Sequence, residues 1–299
     1  MARPPGTVDF RPSPRHFPFE SRWYDSAVGP VHYVDEGTGR TILMLHGNPT
    51  WSFLYRKIIV ALRDRFRCVA LDYPGFGLSV HPERYSYSPI AHAKVVEEVV
   101  LGLGLRDFVV MGHDWGGPIG TAVASRMPDR VHGLVMGNTW CWPDSGWAGS
   151  AFSYAMGSPA GRLLILRRNF FVDTIMRRAI QADLSDEEFE HYRAVVPTPA
   201  SRRGIAELPG HIRRSRAWLA DLERNALHRL AGKPLLLPWG MKDPVFGRHG
   251  FLERWEASFP RPAVLRLPLA DHFIQEDAPF EIADAIAAKF GDAPPDGAG

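Results

Sequence analysis

Cysteine is scarce in this chain, and Cys68 and Cys141 stand in neither a Cys-x-x-Cys pair nor any other metal-ligand spacing. The sequence therefore indicates no disulfide framework and no metal site, and free buried thiols in a reducing compartment are the expectation. The opening residues lack the apolar run of a signal peptide, and no hydrophobic stretch reaches the length of a membrane span. Together these absences predict a cytoplasmic protein that has no membrane partner.

An excess of charge of one sign is also lacking, because 35 basic residues face 33 acidic residues and leave a net charge of +2. This balance argues against a protein dedicated to binding polyanions. Helical arginines more often lie over apolar surface with solvated head groups than form a nucleic-acid face. This interpretation applies to five arginines in helix-like segments: Arg162, Arg167, Arg168, Arg177 and Arg178. We expect no nucleic-acid partner, and the sequence leaves a homo-oligomer open.

The chain has enough apolar material for a large core, with 299 residues that are 45% hydrophobic. Strand-like and helix-like segments alternate up to Gly137 and again from Pro234 to Phe290, which predicts an α/β fold with a mostly parallel central sheet flanked by helices. Residues 143–230 contain helix-like pieces without a convincing strand and are interpreted as an inserted helical cap. The predicted core is 1–142 and 231–291, and residues 292–299 have the composition of a disordered tail.

Near the start of the core, two strand-like segments flank a glycine-rich turn. Residues 31–35 and 41–45 are separated by Gly37-Thr38-Gly39. This pattern predicts a hairpin that leads into a buried strand.

The most informative motif is Gly112-His113-Asp114-Trp115-Gly116, which follows the apolar run 107–111 and precedes a helix-like segment from Pro118. The order of strand, sharp turn and helix is typical of the nucleophile elbow G-x-S-x-G, but Asp114 stands in place of the serine. A serine that attacked a saturated carbon would leave a stable ether, whereas a carboxylate leaves an ester that water can cleave. Asp114 therefore predicts nucleophilic displacement at an sp³ carbon, although an aspartate in this place is also a common helix cap.

Two later residues complete a catalytic triad in the chain order that this fold requires. Asp243 follows a strand ending at Trp239, and His272 follows a strand ending near Leu267. His272 would activate water against the ester, while Asp243 would fix the imidazole tautomer. Asp271 is a rival for the acid, but a sequence neighbour rarely has the geometry to orient the adjacent ring.

The loop His46-Gly47-Asn48-Pro49 directly follows a buried strand, at the place where this fold supplies an oxyanion-hole N–H. Backbone N–H groups of Asn48 and Trp115 would form the hole. Their side chains also carry N–H donors, so the pair can form a small anion site.

The chain resembles the haloalkane dehalogenases from about Trp23 to Phe290. The motifs that carry the resemblance are the His46 loop, the Asp114 elbow and Gly240-Met241-Lys242-Asp243. The aspartate acid and the Asn48–Trp115 pair are similar to the third subfamily, and several stretches are similar to mycobacterial members. Where another subfamily has a glutamate acid, this chain reads Gly137-Asn138-Thr139-Trp140, without a carboxylate. The resemblance implies hydrolysis of small apolar halogenated substrates to alcohol and halide, with water as co-substrate and without a metal or organic cofactor.

Two other enzyme classes stay open at this level, and a pure binding role is disfavoured because the whole constellation is retained. An epoxide hydrolase would use cap tyrosines as proton donors, for which Tyr154 and Tyr192 are available. A β-lactone decarboxylase of olefin biosynthesis shares the catalytic constellation, and a cavity for two long alkyl chains would favour it. Apolar residues interpreted as candidates for the substrate pocket are Phe152, Phe170, Phe171, Val245 and Phe246.

Overall fold

A single eight-stranded sheet forms the centre of the computed structural model, which describes residues 4–143, 147–248 and 250–291. The strands are β1 (Arg22–Ser26), β2 (Gly29–Glu36), β3 (Arg40–Leu45), β4 (Phe66–Leu71), β5 (Phe108–His113), β6 (Val131–Gly137), β7 (Leu235–Gly240) and β8 (Ala263–Leu267). Their order is β1-β2-β4-β3-β5-β6-β7-β8. Strand β2 runs antiparallel to both neighbours, and all other pairs are parallel. The predicted mostly parallel α/β sheet is confirmed.

The predicted hairpin between residues 31–35 and 41–45 is wrong. Strand β4 lies between β2 and β3, and both edges of β3 are taken by the parallel neighbours β4 and β5. The hairpin partner of β2 is β1, which the sequence pattern did not indicate because its charged, polar and aromatic residues are mostly only partly buried. Residues 46–65, which contain the helix Arg56–Leu62, form the crossover that the parallel neighbours β3 and β4 require.

Helices flank the sheet and form most of the described part of the insertion between β6 and β7. The helices are α1 (Arg56–Leu62), α2 (Pro89–Gly102), α3 (Gly116–Arg126), α4 (Trp147–Gly157), α5 (Pro159–Arg168), α6 (Asp186–Ala194), α7 (Arg203–Arg214), α8 (Arg216–Asp221), α9 (Leu227–Leu230), α10 (Phe251–Ser258), α11 (Ile274–Asp277) and α12 (Pro279–Phe290). Short 3-10 turns cover Ser52–Tyr55 and Pro128–Arg130, and π-helical turns cover Phe171–Met176 and Leu222–Ala226. Helix α1 packs with α12, and α2 packs with α3.

The insertion confirms the inserted helical cap, because residues 147–230 form α4 to α9 and turns, with no strand in this described range. The division into a core of 1–142 and 231–291 and a cap of 143–230 stays a prediction. The predicted disordered tail, 292–299, lies outside the described residues. Within the described ranges, no helix combines the length and the apolar character needed to cross a membrane.

Candidate functional site

Asp114 lies at the tip of the predicted elbow, between the last residue of β5 and the first residue of α3. Its φ of +50° is in the left-handed region, which residues other than glycine seldom adopt and which often marks a functional site. Close packing around the turn depends on glycine. A Cβ at Gly116 would overlap the carbonyl oxygen of Leu45, and a Cβ at Gly47 would overlap the side chain of Asp114. The turn therefore holds the Asp114 carboxylate at the carboxyl edge of the sheet.

Backbone N–H groups stabilise the Asp114 carboxylate. The N–H of Asn48 donates to its Oδ1 at 2.8 Å, and the Thr139 hydroxyl donates to its main-chain oxygen at 2.5 Å. Burial raises the pKa of Asp114, while the neighbouring His272 and the N–H groups of Asn48 and Trp115 oppose that rise. The side chain remains 14% exposed, so it can meet a small molecule in the adjoining cavity.

His272 and Asp243 form the predicted pair beside Asp114. Imidazole Nδ1 lies 2.8 Å from Asp243 Oδ2, and Nε2 lies 4.0 Å from Asp114 Oδ2, which is too far for a direct hydrogen bond. Burial disfavours the imidazolium, but the negative charges of Asp243, Asp114 and Asp271 outweigh it and raise the pKa of His272. The imidazole is thus oriented by Asp243, while its other nitrogen faces the carboxylate at the elbow.

The Asp243 carboxylate is held by more donors than the imidazole alone. Burial opposes ionisation of Asp243, yet His272, the Asn138 amide and the N–H of Phe246 outweigh it and lower its pKa to about 2. Asp271 contacts His272 differently, since its Oδ1 accepts the main-chain N–H of His272 at 2.8 Å. The geometry therefore places Asp243, and not Asp271, in position to orient the ring.

Asn138 is a site residue to which sequence reasoning assigned no role. Its Nδ2 donates to Asp243 Oδ2 at 2.9 Å and to the Gly240 oxygen at 3.2 Å, and its Oδ1 accepts the Gly240 N–H at 2.7 Å. The side chain is fully buried. Its position directly after β6, at the edge where the strands end, is the signal that could have indicated it.

Asn48 and Trp115 lie beside Asp114, as predicted. The Asn48 Nδ2 donates to the Ile205 oxygen in α7 at 3.2 Å, and since a side-chain amide carries two hydrogens, the second can bind another acceptor. The Trp115 ring meets Trp140 edge to face at 4.7 Å. Trp140 is a second residue without a predicted role, and it stacks on Phe246 at 5.6 Å. Both indoles thereby hold fixed orientations at the cavity wall.

A mostly apolar cavity of about 230 Å³ adjoins these residues. The lining includes Asn48, Asp114, Trp115, Trp140, Phe152, Phe171, Val245, Phe246, Asp243 and His272. Four of the five predicted pocket residues are thus present in it. Phe170, which is partly buried, is not among the lining residues. Adjacent residues on a helical turn face directions about 100° apart, so Phe171 can line the cavity while Phe170 does not.

The tyrosines that an epoxide hydrolase would need lie away from the cavity. Tyr192 is completely buried and its hydroxyl donates to Glu276, whereas Tyr154 is 63% exposed with its ring under the Arg213 guanidinium. Neither is part of the cavity lining. Among the described residues, no group of three or more His, Cys, Asp or Glu side chains is arranged to hold a metal ion.

Similarity to known proteins identifies the family of this chain. The model of the alpha/beta hydrolase fold family matches residues 40–279. Haloalkane dehalogenase 2 of Mycobacterium tuberculosis is 54% identical over 285 residues, which cover 95% of this chain and all of that relative. The chain belongs to the haloalkane dehalogenase family. Its fold is therefore that of the alpha/beta hydrolases, and the family's members are hydrolytic enzymes.

The chain is also similar to a decarboxylase in sequence and to a solved haloalkane dehalogenase in structure. A cis-3-alkyl-4-alkyloxetan-2-one decarboxylase of Shewanella oneidensis is 30% identical, with 90% of this chain and 87% of that relative covered. The crystal structure of a loop variant of the haloalkane dehalogenase DbeA-M1 from Bradyrhizobium elkanii superposes with a TM-score of 0.82 at 26% identity, covering 90% of this chain and 96% of that one. The family membership thus agrees with the observed fold, and a decarboxylase is also similar to nearly the whole chain at 30% identity.

Proposed function

We propose that the protein hydrolyses short aliphatic haloalkanes to an alcohol and a halide ion, through an alkyl ester on Asp114. The observation that carries the proposal is the Asp114 carboxylate, which adjoins an apolar cavity with His272 Nε2 only 4.0 Å away. Supporting it is the 54% identity to a mycobacterial haloalkane dehalogenase over nearly the whole chain.

In the first step, Asp114 attacks the carbon that bears the halogen, and the carbon–halogen bond breaks as the carbon–oxygen bond forms. Halide is a weak base that leaves without a proton, so it needs only hydrogen-bond donors around it. The second Asn48 amide hydrogen and the Trp115 indole N–H supply these donors, since both residues line the cavity.

In the second step, water attacks the carbonyl carbon of the Asp114 ester. His272 takes a proton from this water, and Asp243 stabilises the imidazolium across the 2.8 Å hydrogen bond. The N–H groups of Asn48 and Trp115 stabilise the oxyanion of the tetrahedral intermediate. Collapse releases the alcohol, which receives the proton from His272, and Asp114 is regenerated. One water thus yields alcohol, halide and a net proton.

A β-lactone decarboxylase is the second candidate, because such an enzyme is 30% identical to this chain. The name of that relative describes a substrate with two alkyl groups on a four-membered lactone. The cavity of about 230 Å³ is smaller than the roughly 300–1,000 Å³ of typical ligand pockets, which favours a short haloalkane over a lactone with two long chains.

The proposal is tested by halide release from 1-bromobutane, 1,2-dibromoethane and 1-iodohexane, with Asp114→Ala as the control. We expect release by the wild-type protein and none by the variant. A parallel assay measures carbon dioxide from a cis-3,4-dialkyl β-lactone. Carbon dioxide without halide release from any haloalkane would overturn the proposal in favour of the decarboxylase. Activity on neither class would direct the next assay to epoxides.

A further inference from the structure

Asp277, the last residue of α11, joins the cap to the loop that carries His272. Its Oδ1 accepts the main-chain N–H groups of Gln181 and Ala182, both at 2.8 Å. These two residues belong to the cap segment between the π-helical turn and α6. Its Oδ2 accepts the main-chain N–H of Asp271 at 2.8 Å. One carboxylate therefore binds backbone from both sides of the cap–core boundary.

From Asp271 the hydrogen-bonded chain continues to the base itself. Asp271 Oδ1 accepts the N–H of His272 at 2.8 Å, and the His272 oxygen is 2.8 Å from His113 Nε2. The peptide groups on both sides of the His272 Cα are thus held, while the imidazole contacts Asp243. The Gln181 side chain adds a second link, because its Nε2 lies 3.3 Å from Asp271 Oδ2.

No neutral side chain of the same size can replace the Asp277 carboxylate. It accepts three backbone N–H groups with two oxygens, and hydrogen bonds to a charged acceptor are roughly twice as strong as neutral ones. An asparagine keeps one oxygen, but its NH₂ group would face an N–H donor and leave at least one backbone group unpaired.

We propose that Asp277 is a positioning residue for His272: by tying residues 181–182 of the cap to the His272 loop, it keeps the imidazole aligned for attack of water on the ester. The proposal rests on the two-step reaction proposed above. Asp277 does not line the cavity and does not bond to Asp114, so the first step, formation of the ester, is independent of it.

The two steps can be separated in a rapid-mixing measurement of halide release from 1,2-dibromoethane. For Asp277→Asn we expect an initial burst of about one halide per enzyme at the wild-type rate. The following steady-state rate should be roughly ten- to a hundredfold lower than that of the wild type, since small displacements of a catalytic group have effects of this size. Asp284→Asn, an identical change on the exposed face of α12, should behave as the wild type.

A purely structural role for Asp277 would lower burst amplitude and steady-state rate together, and this result, or wild-type kinetics, would overturn the proposal. Asp271→Ala removes the acceptor of the His272 N–H, which is the next hydrogen bond of the same chain. This variant tests the proposal if Asp277→Asn does not fold. It should produce the same burst followed by slow turnover. Absence of halide release by the wild-type enzyme would instead refute the proposed function, which keeps the two failures distinct.

Discussion

The Asn138 side-chain amide donates to Oδ2 of Asp243 at 2.9 Å, the same oxygen that meets Nδ1 of His272. The other oxygen of Asp243 accepts the N–H groups of Val245 and Phe246 at 2.8 and 3.0 Å. Asp243 is therefore fixed by donors from the segments that follow two adjacent strands, β6 and β7. Its orientation is set before it acts on the imidazole.

Replacing Asn138 by alanine should weaken this arrangement in a measurable way. The change removes a buried donor from Asp243 and leaves the Gly240 N–H without its acceptor, so we expect a loss of about 1–3 kcal/mol in the free energy of unfolding. Urea denaturation measures it, and steady-state halide release should fall in parallel. Asn225→Ala, which removes an exposed amide bonded to Asp221, should stay within about 0.5 kcal/mol of the wild type.

His272→Ala separates ester formation from ester hydrolysis. Asp114 can still attack the substrate, but no base activates water, so we expect one halide per enzyme and an alkyl adduct that persists on Asp114. Mass spectrometry of a protein digest locates the adduct. His132→Ala, which removes a partly exposed imidazole beside Asp107, is the control and should turn over repeatedly. Sustained turnover by His272→Ala would contradict the assigned role.

The two kinetic constants should depend differently on pH. Water activation needs neutral His272. Burial lowers the pKa of His272, but the negative charges of Asp243 and Asp114 outweigh burial and raise it. We therefore expect kcat to fall as pH decreases through that pKa. Formation of the ester needs only ionised Asp114, so kcat/KM should persist to lower pH. In the ester the charge of Asp114 is lost, which lowers the His272 pKa relative to the free enzyme. Steady-state rates over a pH series test this order, and coincident acidic limbs for both constants would refute it.

Arg56 should matter for stability rather than for chemistry. It is almost fully buried, it donates to both oxygens of the buried Glu276, and its Nη2 reaches Glu188 at 2.8 Å. Arg56→Ala leaves buried negative charge with weaker compensation from Lys57, so we expect a loss of about 3–5 kcal/mol in urea unfolding. Arg67→Ala breaks a more exposed pair with Asp35 and should cost at most about 1 kcal/mol. Equal losses would show that burial of the pair is unimportant.

Local sequence patterns were enough to predict much of the fold and of the candidate site. The alternation of strand and helix indicated the α/β sheet with a helical insertion, and the glycine-flanked Asp114 indicated the elbow. Asp243 and His272 were indicated because each follows a strand whose end points to the same edge of the sheet. The family likeness also came from short contiguous stretches, which the 54% identical relative bears out.

Other features depended on which elements become neighbours. No local signal places β4 between β2 and β3. Nor does one show which of Phe170 and Phe171 lines the cavity. The partners of Tyr192 and Asn138 are 84 and 105 residues away along the chain.

The sequence by itself therefore determined the type of fold and the candidates for the reacting groups, because a strand, a tight turn and a strand-end residue are specified by adjacent residues. Only the tertiary structure decided the small cavity, the burial of Tyr192 against Glu276 and the chain of bonds from Gln181 through Asp277 to His272. Those contacts join segments distant in sequence, and their geometry is set by packing of the whole core and cap rather than by the local pattern of either segment.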